Sequence, residues 1–345
     1  HSGFVWQTWV LGGVLYLLSG MGITAGYHRL FTHRAYATNK FIRALLLICA
    51  ACAFQNCVME WCGKHRLHHK YTDEEGDPYN ITNGFWYAHW LWIFYKNSEE
   101  QDEEIHAITK DIQRCNLCRW QQKYYLFIAI SVGILLPTLI ASYWGDALGG
   151  LFIAACLRVV VFFHIVECVN SVCHYFGSRP YTTKHTARNN TLVSIFTLGE
   201  GYHNYHHAFA ADYRNGIRWY HFDPTKWIIW LSSKIGLTKN LRSVNSIILL
   251  KSLVQKDRRL ILNRLSEEVD EIASEWTQKV ETLSGQFDEI ASVLSTKVRE
   301  LKSVQGIQKV NLEKEIKALK SSLNNTWEDW IQLTHIAAKK FELAH

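Results

Sequence analysis

Between residues 4 and 27 there is not one charged side chain. A helix on the surface of a water-soluble protein needs a polar face, so these 24 residues exclude that reading. They also exceed the ~20 residues that carry a helix across a bilayer. A second uncharged block, residues 44–59, has only 16 residues. At ~1.5 Å per residue it is short for a ~30 Å hydrocarbon core, and it is predicted to be a buried helix instead. Residues 124–145 and 147–166 contain a single charge that could disturb a span, Arg158, and read as a transmembrane hairpin turning at Gly145 and Asp146. Clusters of Lys and Arg on an otherwise polar surface are missing too, which excludes a nucleic-acid-binding domain. The net charge of +6 is unevenly held: from Leu265 onward there are 14 acidic and 10 basic residues, leaving +10 for the part before it. That basic part suits an anionic ligand or lipid headgroups.

The nine cysteines are odd in number and lack the spacing of a secreted disulfide scaffold. They are expected to be reduced thiols in a cytosolic redox environment. Cys115 and Cys118 form a lone CxxC with no second pair to complete a four-ligand zinc site. The first residue is not methionine, so a targeting segment or an earlier spanning helix is expected to be missing from this sequence.

Histidine is abundant. Of seventeen, eight fall in three clusters: His28 and His33 in GYHRLFTHRAY, His65, His68 and His69 in KHRLHHKY, and His203, His206 and His207 in GYHNYHHAF. A ninth, His174, stands in VNSVCHYFG just past the last apolar block. Imidazoles three and four residues apart share a helix face, so HxxHH aims two or three nitrogens at one point. No HExxH and no general-base carboxylate sits between them, which argues against a zinc hydrolase. So many imidazoles divide naturally into two metal centres, and imidazole suits iron. The remaining histidines, His1, His89, His106, His164, His185, His221, His335 and His345, lack such company and read as structural. His164 lies in an apolar helix and needs a polar partner or an aqueous cavity. If the 44–59 block does not span, all three clusters lie on one side, with Arg29, Arg34, Lys40, Arg43, Lys64, Arg66 and Lys70. The positive-inside tendency makes that side cytosolic.

From Leu265 the sequence repeats with a period of 18, or five helical turns. Its apolar positions, Leu265, Val269, Ile272, Trp276, Val280, Leu283, Phe287, Ile290, Leu294, Val298 and Leu301, average 3.6 residues apart. The stripe therefore runs straight rather than supercoiling. It predicts an amphipathic helix or hairpin that packs on itself, on the first domain or on another subunit, or lies on a membrane surface.

The words GITAGYHRLFTHRAY, FQNCVMEWCGKHRLHHKYTDEEGDPYN, VNSVCHYFGSRPY and GEGYHNYHHAFAADYRNG resemble the signature blocks of the membrane acyl-CoA Δ9 desaturases of the stearoyl-CoA type. The resemblance covers about residues 22–220 and implies an all-α integral membrane protein with a cytosolic, histidine-rich di-iron cap. On this basis residues 1–258 form the desaturase domain and 259–345 an amphipathic helical region. The resemblance also implies that His28, His33, His65, His68, His69, His174, His203, His206 and His207 bind two irons, with Asn170 reaching one through water. It implies O2 as co-substrate, a fatty acyl-CoA as substrate, and residence in the endoplasmic reticulum membrane. Asn56 and Trp61 are placed at the acyl-CoA mouth. Lys64, Arg66, Lys70 and Lys96 are candidates for the CoA phosphates, and Tyr16 and Gly20 for the plug ending an apolar tunnel. Glu60, Asp73, Asp77, Glu200 and Asp212 lie near enough in sequence to orient the imidazoles. No HPGG-type haem motif occurs, so no fused cytochrome b5 domain is expected. Electrons are expected from a separate cytochrome b5 with its NADH-dependent reductase, docking on the basic face. A hydroxylase or acyl-lipid desaturase on the same scaffold is the enzymatic alternative, and a lipid-binding scaffold the non-enzymatic one.

Overall fold

A computed structural model describes residues 5–267 and 271–341. Phe4, at the start of the first expected span, Val269 of the tail stripe, and His1 and His345 lie outside the described residues. The described residues fall into two compact units. One runs to Arg179 and resumes from Lys184 to Ser243; the other takes Pro180–Thr183 and the chain from Val244 onward.

The first unit contains three helices long and apolar enough to cross a membrane: α1 (Trp6–Thr32), a helix at Tyr125–Ser142 and another at Ala147–Tyr175. Their outer faces carry exposed Val10, Leu17, Phe127, Leu139, Phe152 and Val160, the side chains a lipid tail would cover. The protein is therefore an all-α membrane protein. Arg158, the one charge foreseen in the hairpin, is buried and satisfied: its guanidinium donates to Ser19 Oγ at 2.9 Å and to the carbonyls of Cys52, Gly133 and Ala154. Four of its five N–H donors are thus directed at protein oxygen, which offsets part of the cost of burying the charge. The expected turn is present, with Gly145 at φ +78° and the Asp146 side chain accepting from Gly149 N.

Two differences from the sequence reading bear on the site. Residues 44–59 are not one helix. Helix α2 (Lys40–Ala51) stops, Phe54 and Asn56 take left-handed φ values of 57° and 71°, and α3 (Val58–Tyr71) begins on a new course. Six residues of reversal thus separate the helix bearing HxxHH from a short helix that is not the buried one expected, being buried only at Leu47, Ala50 and Ala51 with Phe41 and Leu45 exposed. The last span also continues past residue 166 to Tyr175, carrying Glu167, Asn170 and His174 within one helix, labelled α4 (Ala147–Tyr175).

The lower part of α1, Gly22–Thr32, is wound with π-type turns, as in the bond from His33 N to His28 O at 3.1 Å, and every residue in it is buried. Such widened turns recur at functional sites because they re-aim side chains. They are permitted here by close approach at Gly22, where a Cβ would lie 2.2 Å from Ala50 N of α2. The histidine-bearing end of α1 is thereby pressed against α2 and α3.

In the second unit three helices, α6 (Ser246–Leu265), α7 (Glu271–Glu300) and α8 (Gly306–Lys340), pack pairwise, with the label α5 reserved for His203–Ala208 of the first unit. Their shared core contains Val254, Ile261, Leu265, Trp276, Val280, Phe287, Leu294, Leu323 and Trp330. The repeat's stripe is thus largely buried by its own neighbours, while Ile272 faces outward. The boundary expected at 258/259 falls inside α6, whose Val254 and Ile261 both point into this core; the compact unit begins at Val244.

Candidate metal centre

Four elements deliver the nine histidines. His28 comes from the π-wound end of α1 and His33 from the residue following it; α3 carries His65, His68 and His69; α4 carries His174; and α5 (His203–Ala208) carries His203, His206 and His207. Their ligand nitrogens gather in two groups, each with all atoms within 4.8 Å of one another. The first is His28, His33, His65, His69 and His206; the second is His68, His174, His203 and His207. Each HxxHH word is therefore divided. The i, i+4 pair His65 and His69 joins His206 of α5, and the i, i+4 pair His203 and His207 joins His68 of α3. Residues four apart share a face and the one between points about a third of a turn aside, so two facing helices with the same word exchange their odd histidine.

Nitrogen spacings fit shared metal ions. His206 Nε2 lies 2.8 Å from His69 Nε2 and 2.9 Å from His28 Nε2, and His69 Nε2 is 3.2 Å from His65 Nε2. In the second group His203 Nε2 is 3.1 Å from His174 Nε2 and 3.0 Å from His207 Nε2, which is 3.1 Å from His68 Nε2. Ligands at right angles around an ion with metal–nitrogen bonds of about 2.1 Å stand about 3.0 Å apart, against about 3.4 Å for a tetrahedral ion. The two groups of imidazole nitrogens are thus compatible with two metal ions, iron among them. His33 Nε2 is buried with no hydrogen-bond partner, ringed by His28, His69 and His206 at centroid distances of 4.6–4.8 Å. In the tautomer protonated at Nδ1, Nε2 presents a lone pair there that a bound cation would satisfy.

Protonation favours the same reading. Burial first, and the neighbouring imidazoles second, push His33, His65, His69, His203, His206 and His207 well below the ordinary histidine range. They are neutral at pH 7, the form that binds metal.

Three of the five foreseen carboxylates hold the rings. Asp77 Oδ1 lies 2.9 Å from His68 Nδ1, Glu200 Oε2 lies 2.7 Å from His28 Nδ1, and Asp73 lies 3.5 Å from His174 Nδ1. Each carboxylate stands on the Nδ1 side of its ring and leaves Nε2 for the centre. Asp73 works with Thr186, whose hydroxyl is 2.8 Å from His174 Nδ1 and donates to Asp73 Oδ1 at 2.7 Å. Burial would raise the Asp73 carboxyl, but the bonds from His174 and Thr186 hold it well below its usual range. Burial likewise opposes Glu200's charge, and His28 with Arg29 overcomes it. Glu60 and Asp212 do not reach a ring: Glu60 pairs with Lys64 at 3.1 Å, and Asp212 with Arg214 and the Tyr205 hydroxyl at 2.8 Å. Replacing Asp77 by alanine is expected to weaken metal binding in the second group about 10–100-fold, measured by competitive metal titration of the purified protein. An unchanged affinity would show that His68 is aimed by packing alone.

Beside both groups lies a cavity of about 150 Å³. His28, His65, His203, Glu200 and Asn170 line its inner end, and Ile23, Phe54, Phe163, Val166 and Ile93 give it apolar walls. Of the substrate candidates, Asn56, Trp61 and Lys64 line it. Trp61 stacks on His65 at 5.1 Å and donates Nε1 to Gln55 Oε1. Arg66 does not serve as foreseen: its guanidinium is bidentate to Asp111, at 2.7 and 3.0 Å, and donates to the carbonyls of Phe31, Thr32 and Ile108, so it ties α3 to its surroundings. Lys70 is paired with Glu104 and Lys96 is exposed; neither lines the cavity. Tyr16 donates to the Phe196 carbonyl at 2.7 Å and packs edge-on against Phe162, and a Cβ at Gly20 would meet Leu198 at 2.7 Å. Both adjoin the wall formed by Phe162 and Leu198 rather than the cavity itself.

Sequence reasoning passed over Thr186, Glu167 and Trp92, which have no spacing signal, and treated His185 as structural although its ring lies 4.8 Å from that of His207. His164 has the polar partner its setting demands: Nδ1 is 3.2 Å from Nε2 of His89, which reaches Ser171 Oγ at 2.9 Å.

Residues 4–233 match the profile of the fatty acid desaturase family. Among similar proteins, a probable acyl-CoA desaturase of Schizosaccharomyces pombe is 40% identical over 256 residues, 74% of this chain and 53% of that protein. Acyl-CoA desaturase 1 of Saccharomyces cerevisiae is 37% identical over 71% of this chain and 48% of its own length, and human stearoyl-CoA desaturase is 36% identical over 70% and 68%. The chain spans about half the length of the two yeast relatives. With its paired histidine groups beside three apolar helices, the chain belongs to the fatty acid desaturase family.

Proposed function

We propose that this protein is an acyl-CoA desaturase that introduces a cis double bond, at Δ9, into a saturated fatty acyl-CoA. The observation that carries the reading is the division of nine buried or half-buried histidines into two groups, each tight enough to surround one ion. His28, His33, His65, His69 and His206 would hold one iron, and His68, His174, His203 and His207 the other, with Asn170 reaching an ion through water. Two irons there supply the oxygen activation that taking hydrogens from unactivated methylenes requires, which no acid or base side chain can provide. In balance, the chain gives up two hydrogens, O2 receives two electrons and two protons besides, and two waters leave.

The remaining work belongs to this chain's own residues. Asp77, Glu200, Asp73 and Thr186 fix the imidazoles before substrate arrives. The apolar walls exclude water and hold the acyl chain against the histidines, with Asn56, Trp61 and Lys64 at its thioester end. Lys96, exposed outside the cavity, and Lys70, on leaving Glu104, would meet the CoA phosphates, and Tyr16 and Gly20 would stop the methyl end. Electrons come from cytochrome b5 and its NADH-dependent reductase at the basic cytosolic face, and the protein resides in the endoplasmic reticulum membrane. The relatives named as acyl-CoA and stearoyl-CoA desaturases support substrate and position.

The test is fatty-acid profiling, by gas chromatography and mass spectrometry, of cells that lack their own desaturase and express this chain. New cis-monounsaturated chains with the double bond at carbon 9 are expected. Oxygenated chains would replace the proposal with a hydroxylase, and a bond elsewhere would overturn the Δ9 assignment.

A further inference from the structure

Glu167 is an acid within a membrane-crossing helix, 3% exposed and paired with no cation among the described residues. Removing a carboxyl from water in such a place is costly, and intramembrane acids of this kind mark function by default. Its Oε2 accepts two bonds, from Asn170 Nδ2 at 2.9 Å and from Trp92 Nε1 at 3.2 Å. All three belong to the lining of the cavity that also exposes His28, His65 and His203.

The pairing has a directional consequence. In the structure the carboxyl oxygen accepts from both the indole and the NH2 side of the Asn170 amide, the arrangement that an ionised carboxylate, which can only accept, requires. The amide is therefore oriented, with its nitrogen toward Glu167 and its carbonyl oxygen free of any protein donor among the described residues. Trp92 is held at the other side, with Lys64 Nζ 5.2 Å above its ring and Tyr79, 4.8 Å away, packed between it and His68.

We infer that Glu167 is a positioning residue that clamps the Asn170 amide so that its carbonyl oxygen faces the cavity end where the histidine groups lie. The inference rests on the metal-centre reading proposed above. Loss of the clamp lets the amide rotate and removes a defined acceptor from beside one ion, while the histidine ligands stay in place.

The experiment uses the full chain in detergent, loaded anaerobically with iron(II), and reads the near-infrared magnetic circular dichroism of the ferrous ions. Glu167→Leu, close in volume but without an acceptor, is expected to shift the bands of one ion as Asn170→Ala does. The double variant is expected to add nothing, because both changes remove one interaction. Glu167→Gln keeps a carbonyl acceptor and is expected to retain native bands, which a general packing defect would not allow. Native bands in Glu167→Leu, equal damage in Glu167→Gln, or additive shifts in the double variant would each overturn the clamp while leaving the di-iron reading intact. A wild-type chain that binds no pair of irons would remove both.

Discussion

Replacing His206 by alanine is expected to halve the metal content and abolish unsaturated product. His206 is the hub of the first group, with Nε2 2.8 Å from that of His69 and 2.9 Å from that of His28, and it is the only ligand that α5 gives to that group. The second group keeps its four histidines in place, whereas the first loses the imidazole that bridges His69 and His28, so iron should fall from about two to about one per chain. Changes to residues that only orient ligands cost about 10–100-fold, so loss of a direct ligand should lower product by more than about 100-fold. Inductively coupled plasma mass spectrometry gives the first number and product profiling the second. His203→Ala should empty the other group instead, and His106→Ala, an exposed histidine far from either word, should leave both numbers unchanged. Retention of two irons and full product in His206→Ala would show that the clusters are not the metal centre.

The three clusters were legible in the sequence because spacing by three and four survives in any helix. The division into groups of five and four was not. It depends on α3 and α5 facing each other so that each surrenders one histidine to its partner, and nothing local encodes that. Among the carboxylates, nearness in sequence selected Asp73, Asp77 and Glu200, which stand against rings, yet selected Glu60 and Asp212 as well, which pair with Lys64 and Arg214. Glu167 shows a different failure. In the sequence the last apolar block ends at residue 166 because an acid follows, and an acid ordinarily marks the membrane boundary. Here the helix continues for nine residues beyond it, to Tyr175, because Trp92 and Asn170 satisfy the carboxyl from within. The break after Ala51 was equally hidden: it is made by Phe54 and Asn56 at positive φ, with neither glycine nor proline to announce it.

Arg29→Leu is expected to cost about 3–5 kcal/mol of stability, the penalty for stranding buried charge by removing one partner. Arg29 is 1% exposed and reaches three oxygen groups: Glu200 Oε1 at 3.0 Å, Asp223 at 3.0 and 3.1 Å, and the Tyr213 carbonyl at 2.8 Å. Asp223 also accepts from the backbone N–H groups of Asn215, Gly216 and Lys226, so it stays fixed when the guanidinium goes. Among the described residues Glu200 has less to hold it besides Arg29: Asn215 Nδ2 at 2.7 Å and His28. Without Arg29, His28 alone opposes the effect of burial on its carboxyl, which becomes a weaker partner for His28 Nδ1 just where the first histidine group needs that ring aimed. The variant should therefore bind iron more weakly in that group as well as unfold earlier. Arg29→Lys should recover the charge but not the forked geometry, and so fall between the two. Thermal unfolding of the metal-free protein in detergent isolates the stability term, and iron titration the orientation term. A stability loss below about 1 kcal/mol would mean water replaces the guanidinium, since only solvation can relieve two buried carboxylates that cheaply. A full stability loss with unchanged iron affinity would show instead that Asn215 alone aims Glu200, and that Arg29 fastens α1 to the segment before Pro224 without serving the metal.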